Sequence, residues 1–368
     1  MSARILATGS YLPGEPIDNE QLEKLCGPLP ADVLAGLGVA RRHWLVDPAT
    51  GEHIISNSRM AEAAARVALA KAGLAPQDVD LIVLSTASPE YHLPTAASYV
   101  QEHLGLQRCA TIELRAGCVG AVQALDIARR QLADGTFRTA LVIGAEAISP
   151  LLVPMYQGLD PLGVRMRDRM SLYNFGDGAA AVVLRADPAR GTGPERAPGL
   201  GACVFGTACL GGGRKPGMRV VGGGTDLPYS RQLARKRLMD IQLDASGVAG
   251  LGPQVFVTAL RDMLDRTGWQ LSDIDAFVLP EGNAEYFSSE LAAAGMSRQD
   301  HELVQRRVVE NLADVAATGS PAVLLALDAG VAQGRIRPGD TVLLLAIEAS
   351  RYVYAGLSLR WGEPMVAR

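Results

Sequence analysis

Part of this chain occurs twice, and that duplication limits what it can fold into more than any other feature. Gly73 to Leu84 reads GLAPQDVDLIVL and Gly268 to Leu279 reads GWQLSDIDAFVL, an offset of 195 that persists to Glu90-Tyr91 against Glu285-Tyr286. A second pair recurs at an offset of 202: Ala124-Leu125-Asp126 against Ala326-Leu327-Asp328, and Glu146-Ala147 against Glu348-Ala349. In both blocks a helical pattern leads through a Gly-containing connection into an apolar strand, as in βαβ units. Chance similarity between alanine-rich segments is the alternative, but two βαβ-type halves in the same order favour a duplication. The expected organisation is an N-terminal half over 1–186, a Gly/Pro-rich connection with substrate-side loops over 187–252, and a C-terminal half over 253–368.

Within the first half, Cys109 to Ser149 carries the chemistry. Ala110 to Leu114 predicts a buried strand, and Arg115-Ala116-Gly117 a tight connection. Val119, Val122, Leu125 and Leu132 then recur at helical spacing, Gly135 ends that helix, and Ala140 to Ile143 predict a second buried strand. Cys118 falls on the first residue of the helix. Unpaired N–H groups and the positive end of the helix dipole favour a thiolate there, and Arg115 adds to the effect. Gly-Cys-x-Gly is nevertheless a short motif, and it fits a buried structural cysteine as well as a nucleophile. At the offset of 202 the counterpart of Cys118 is Ser320. The two helix starts are equivalent points, at carboxyl ends of strands, where open α/β sheets place their ligands.

Composition narrows the partners. A net charge of −4 gives no reason to expect nucleic acid or an anionic membrane surface. The N-terminal MSARILATGSYLPG has no apolar leader core, and no apolar run approaches the length of a membrane span, so the expected location is the cytoplasm. Five cysteines, at 26, 109, 118, 203 and 209, show neither zinc spacing nor a disulfide framework. No two of the five histidines lie within one helical turn, so no metal site is expected.

The cysteine stretch, GLGVARRHW (36–44), NFGDGA (174–179) and ALDAGVAQGRIRPGDTVLLLAIEA from Ala326 together resemble the ketoacyl-acyl carrier protein synthase III family of the thiolase-like superfamily, over nearly the whole chain. The resemblance implies an α/β fold of five layers, αβαβα, built from the two halves. It also implies a homodimer whose sheets join edge to edge near Ala110 to Leu114. Cys118 would take an acyl group from the phosphopantetheine arm of coenzyme A or an acyl carrier protein, with no tightly bound cofactor. Arg169, six residues before Phe175, matches an arginine that lies along the coenzyme A entrance in the family. Asn283 and Ser350 are the other candidates for binding that arm.

The chain departs from the family at the remaining catalytic positions. The family has a histidine after a proline, then Gln-Ala-Asn; here Pro280 is followed by Glu281-Gly282-Asn283. The family asparagine, in a Gly-Asn-Thr-Ser stretch, is matched to Asp314 in ADVAATGSP. The glycine-rich loop that supplies an oxyanion-hole N–H is replaced by Glu348-Ala349-Ser350. His301 lies beyond a turn at Gly295 to Ser297 and is read as surface. Loss of the histidine and asparagine with retention of the cysteine resembles the acyltransferase branch of secondary-metabolite pathways, polyketide routes among them. There the acyl group passes to a hydroxyl, an amine or a carrier thiol, with Glu281 or Asp314 as base. The alternatives are a decarboxylating condensing enzyme with an unusual base, and a non-catalytic partner subunit.

Overall fold

The computed structural model describes residues 2–187, 198–208, 215–233, 237–280 and 288–362. The chain opens with β1 (Ser2–Tyr11), β2 (Ile17–Asp18), α1 (Asn19–Cys26), α2 (Ala31–Leu37), β3 (Arg41–Arg42) and α3 (Asn57–Ala72). Then follow β4 (Leu81–Ser85), α4 (Ala96–His103), β5 (Ala110–Leu114), α5 (Gly120–Ala133) and β6 (Thr139–Glu146). The half closes with α6 (Ser149–Leu152), α7 (Met166–Asn174) and β7 (Gly178–Asp187). The second half runs through β8 (Gly199–Thr207), β9 (Met218–Val221), β10 (Asp240–Leu243), α8 (Ala245–Thr267) and β11 (Ala276–Val278). It continues with α9 (Ser288–Ala293), α10 (Arg298–Arg307), β12 (Val308–Val309), α11 (Leu312–Val315), α12 (Ala322–Ala332), β13 (Thr341–Glu348) and β14 (Val353–Arg360).

The duplication is visible in the hydrogen-bond registers. One five-stranded sheet has the order β1-β7-β6-β4-β5, and the other, read from the matching edge, has β8-β14-β13-β11-β12. Leu81 stands opposite Ala140 in the first, and Ala276 opposite Val342 in the second. Those are the offsets of 195 and 202 applied to the two partners. The β1–β7 ladder slips between Ile5 and Ala7, and the β14–β8 ladder slips between Leu357 and Leu359. Ile5 and Thr8 face Leu184 and Val182, as Leu200 and Cys203 face Leu359 and Leu357, so the bulge is duplicated as well.

One boundary moves. The stretch 187–252, expected as connection and loops, supplies β8 to the second sheet and the first turns of α8. The excursion is confined to the part between them, which carries the hairpin of β9 and β10.

Burial explains the layers. α12 (AVLLALDAGVA) is apolar on nearly every side and lies between the two sheets beside α5, as a helix without a polar face must. α3 covers the first sheet through Met60, Ala61, Ala64, Ala65, Ala68 and Leu69, and α8 covers the second. Leu81, Ile82, Val83 and Leu84 are all fully buried, each contributing about 2 kcal/mol of apolar burial. The result is the five-layered αβαβα arrangement. α1 is capped by Asp18, which accepts from the Gln21 N–H, while the Asn19 side-chain nitrogen goes to the Val39 carbonyl. α3 is capped by Ser56, which accepts from the Arg59 N–H, and Glu90 accepts from the Ser58 N–H at 2.6 Å.

The NFGDGA and GLGVARRHW segments prove to be internal ties. Fully buried Asp177 accepts from the N–H groups of Leu45 (2.8 Å), Ile148 (2.5 Å) and Ser149 (2.9 Å), and from the Ser149 hydroxyl. Burial pushes its carboxyl up to about 6. Arg42 is also fully buried, donating to the carbonyls of Ile17 and Tyr173 and to Asn19 Oδ1. Only Arg41 of that pair faces solvent.

Candidate functional site

The carboxyl ends of β4, β6 and β13 converge on the starts of α5 and α12. Space there is so limited that glycine is required. A Cβ on Gly120, the first residue of α5, would stand 1.9 Å from Ser85 Oγ at the end of β4. A Cβ on Gly144 in β6 would stand 2.7 Å from Pro321 Cα, just ahead of α12. The two central helices can therefore press their first turns onto the strand ends.

Cys118 sits in a single 3₁₀ turn, Gly117–Val119, that leads into α5, one short turn ahead of the position expected. Gly117 is left-handed at φ +55, and a Cβ there would meet Glu348 at 2.9 Å from Cγ and 3.3 Å from Oε1. At the matching place in the second half, Gly319 has φ +67, and its Cβ would lie 3.0 Å from Glu146 Oε2. Each half thus shapes the helix start of the other with the carboxylate that ends its own central strand.

The two carboxylates are held differently. Glu146 is fully buried and accepts from the Ala87 N–H (2.8 Å), the Ser88 hydroxyl (2.5 Å) and the Ser320 N–H (3.3 Å); burial pushes its carboxyl above the usual range despite these bonds. Glu348, only 6% exposed, accepts from the N–H and hydroxyl of Ser350 (2.9 and 2.6 Å) and the N–H of Arg351 (3.3 Å). Ser320 closes the arrangement. Its hydroxyl donates to the Gly117 carbonyl at 3.1 Å and lies 3.1 Å from the hydroxyl of Ser85.

Half-buried Cys118 opens onto an apolar cavity of about 120 Å³. Its walls include Pro253 and Phe256 of α8, Leu279 and Pro280 after β11, and Ile347 and Ala349 at the end of β13. Apolar walls of this kind suit a hydrocarbon chain. The other described cysteines lack such a setting. Burial pushes the thiols of Cys26 and Cys203 up to about 12 and that of Cys109 up to about 11. Among the described residues no group of three His, Cys, Asp or Glu side chains forms a metal site, and no helix is long and apolar enough to cross a membrane.

The remaining sequence candidates fare unequally. Glu281 and Asn283 lie outside the described residues, as does Cys209. Asp314 is not among the residues that line the cavity at Cys118. It sits on α11, its side chain 61% exposed, and pairs at 2.6 Å with Arg41, itself 55% exposed. Two residues further on, Ala316 is left-handed at φ +62, a conformation that favours glycine. Arg169 is half-buried. Its guanidinium donates to the carbonyls of Pro28 (3.0 Å), Pro161 (3.1 Å) and Leu162 (3.0 Å), stapling the end of α1 to the loop before α7. Ser350 has both its N–H and its hydroxyl on Glu348. His301 is half-buried on α10.

Sequence reasoning did not single out Ser85, or the contact of Gly117 with Glu348. The offset of 202 held part of the signal, since it pairs Cys118 with Ser320 and Glu146 with Glu348.

Comparison with known proteins places these features in context. The model of 3-oxoacyl-[acyl-carrier-protein] synthase III matches residues 112–195, and that of its C-terminal part matches residues 264–361. The chain is 32% identical to a β-ketoacyl-[acyl-carrier-protein] synthase III of Rhodospirillum centenum, over 97% of this chain and 98% of the other. Its fold is similar to the crystal structure of 3-oxoacyl-(acyl carrier protein) synthase III from Pseudomonas aeruginosa, with a TM-score of 0.79 and 27% identity over the whole of both chains. It is as similar to AbyA1, a tetronic acid condensing enzyme, with a TM-score of 0.78 and 27% identity over 98% of this chain and 100% of that one.

Proposed function

Since the chain belongs to the 3-oxoacyl-[acyl-carrier-protein] synthase III family, we propose that it is an acyltransferase working by a ping-pong course through Cys118. The donor is an acyl thioester of coenzyme A or of an acyl carrier protein. The acceptor is a hydroxyl, an amine or a carrier thiol. The observation that carries the reading is a cysteine next to a left-handed glycine at the mouth of an apolar cavity, with a glutamate directly after Pro280 of the cavity wall.

Cys118 sulfur attacks the thioester carbonyl, the carbonyl electron pair moves to oxygen, and collapse expels the pantetheine thiol. The N–H of Cys118 is one donor to the oxyanion. Glu348 engages the N–H groups of Ser350 and Arg351, so the second donor assigned from this segment is the N–H of Ala349, a residue of the cavity wall. In the second half-reaction the acceptor attacks the acyl-cysteine carbonyl, Glu281, directly after cavity-lining Pro280, takes its proton, and collapse breaks the S–C bond and releases Cys118 as the thiolate.

A carboxylate at this point opposes condensation. The enolate left by loss of CO2 is an anion, and two unit charges about 4 Å apart at an effective dielectric near 20 repel by about 4 kcal/mol. That corresponds to about a thousandfold in rate. The similarity to a tetronic acid condensing enzyme favours the second reading, decarboxylative condensation with an unusual base. The two separate in one assay. Cys118 is loaded from a panel of acyl-CoAs and acyl carriers, followed by intact mass, and malonyl-CoA or malonyl carrier is then added. Acyl-enzyme formation without CO2 or a β-ketoacyl product is expected. Condensation at a rate comparable with transfer, lost in Glu281→Gln, overturns the acyltransferase reading.

A further inference from the structure

We propose that Ser320, which holds the nucleophile's place in the second half, is a positioning residue that aims the N–H of Cys118 at the oxyanion formed during acyl transfer. This rests on the reading of Cys118 as the nucleophile.

Ser320 is fully buried, and its hydroxyl has one proton, which it donates to the Gly117 carbonyl at 3.1 Å. With that proton committed, the Ser85 hydroxyl, 3.1 Å away and also fully buried, is the donor to Ser320 Oγ. Ser85 is fixed in turn by the start of α5, where only a glycine leaves its hydroxyl room. On the backbone side, the N–H of Ser320 is held by Glu146.

The carbonyl of Gly117 and the N–H of Cys118 are two ends of one planar trans amide and point in opposite directions. Pinning the carbonyl toward Ser320 therefore turns the N–H away from it. The same carbonyl accepts from the Gly120 N–H in the 3₁₀ turn, so Ser320 is the side-chain member of a pair of donors that fixes the plane at a glycine without a Cβ. Where the first half carries a thiol, the second carries a hydroxyl that orients the first half's site.

Two reactions of the same sulfur test this. In acylation an S–C bond forms at the carbonyl, its π electrons move to oxygen, and the thiol leaves, so the aimed N–H matters. In alkylation by iodoacetamide an S–C bond forms and iodide leaves, with no oxyanion. Both rates are measured by intact mass for the wild-type chain and for Ser320→Ala, with the acyl thioester that the wild type prefers. Acylation is expected to slow by about tenfold to a hundredfold at unchanged KM, less than or equal to the loss of a whole oxyanion donor. Alkylation is expected to stay within twofold. Should Ser320→Ala fail to fold, Ser85→Ala, which frees the Ser320 hydroxyl to rotate, is expected to show the same split on a smaller scale. Acylation unchanged in the variants overturns the proposal, as does alkylation falling in step with acylation. A wild-type chain that is alkylated at Cys118 yet acylated by no thioester removes the nucleophile reading itself. That outcome is distinct from equal acylation of wild type and variant.

Discussion

Burial holds Cys26, Cys109 and Cys203 as protonated thiols, with pKa values pushed up to about 12, 11 and 12. At pH 8 iodoacetamide is accordingly expected to modify Cys118 and leave these three untouched, and Cys118→Ala to abolish acyl-enzyme formation. Peptide mapping that finds a stable acyl group on any of the three contradicts the assignment. Asp314 calls for the opposite expectation. Its exposed pair with Arg41 contributes less than about 1 kcal/mol, and Asp314→Asn should leave both the unfolding midpoint and the transfer rate within twofold of wild type. The place of Cys118 was legible because strand, turn and helix each leave a mark in residue type and spacing. The surroundings of Asp314 were not legible because its partner Arg41 lies 273 residues away in the sequence. Those of Arg169 were hidden for a related reason: its partners are backbone carbonyls, which every sequence has.

The central helices are bound to sheets by polar ties as well as packing. Asp328 of α12 accepts from Thr8 (2.6 Å) and Ser10 (2.6 Å) of β1 and from Lys71 of α3 (3.0 Å), joining a helix of the second half to the first sheet. Burial works to raise its carboxyl, but the bonds from Ser10, Thr8 and Lys71, with the lysine charge, outweigh it and hold it below the usual range. A depressed carboxyl contributes stability above its unfolded value near 4 and loses it as the pH falls through the folded value. Asp328→Asn is therefore expected to cost about 2 kcal/mol at pH 7, mostly through the two hydroxyl bonds because Lys71 is half exposed. The difference should shrink below pH 4 in urea titrations. Gly144→Ala drives a methyl into the backbone at Pro321 and is expected to lower stability by about 1–3 kcal/mol, read as a fall in Tm. The offsets predicted β4 with β11 and β6 with β13 down to their registers. β8 escaped because GLGACVFGT carries three glycines and too little alternation to stand out from the Gly/Pro-rich stretch around it.

In the molecule as a whole, β5 is an unpaired edge of the first sheet, and all five of its residues are half-buried, Ile112 and Leu114 among them. An apolar edge with free backbone groups invites pairing with another strand. A homodimer joined through β5 is the expected state in solution, and a monomer by light scattering at micromolar concentration refutes it. The reciprocal contacts at the helix starts bear on how far this chain can be divided. The fragment ending after β7 holds Cys118, its strand and its helix, yet it lacks Glu348 and Ser320 against which the Gly117 turn is set. The fragment beginning at β8 lacks Glu146, against which the Gly319 turn is set. Severed there, the two halves are expected to regain a competent thiol only when they are combined in trans.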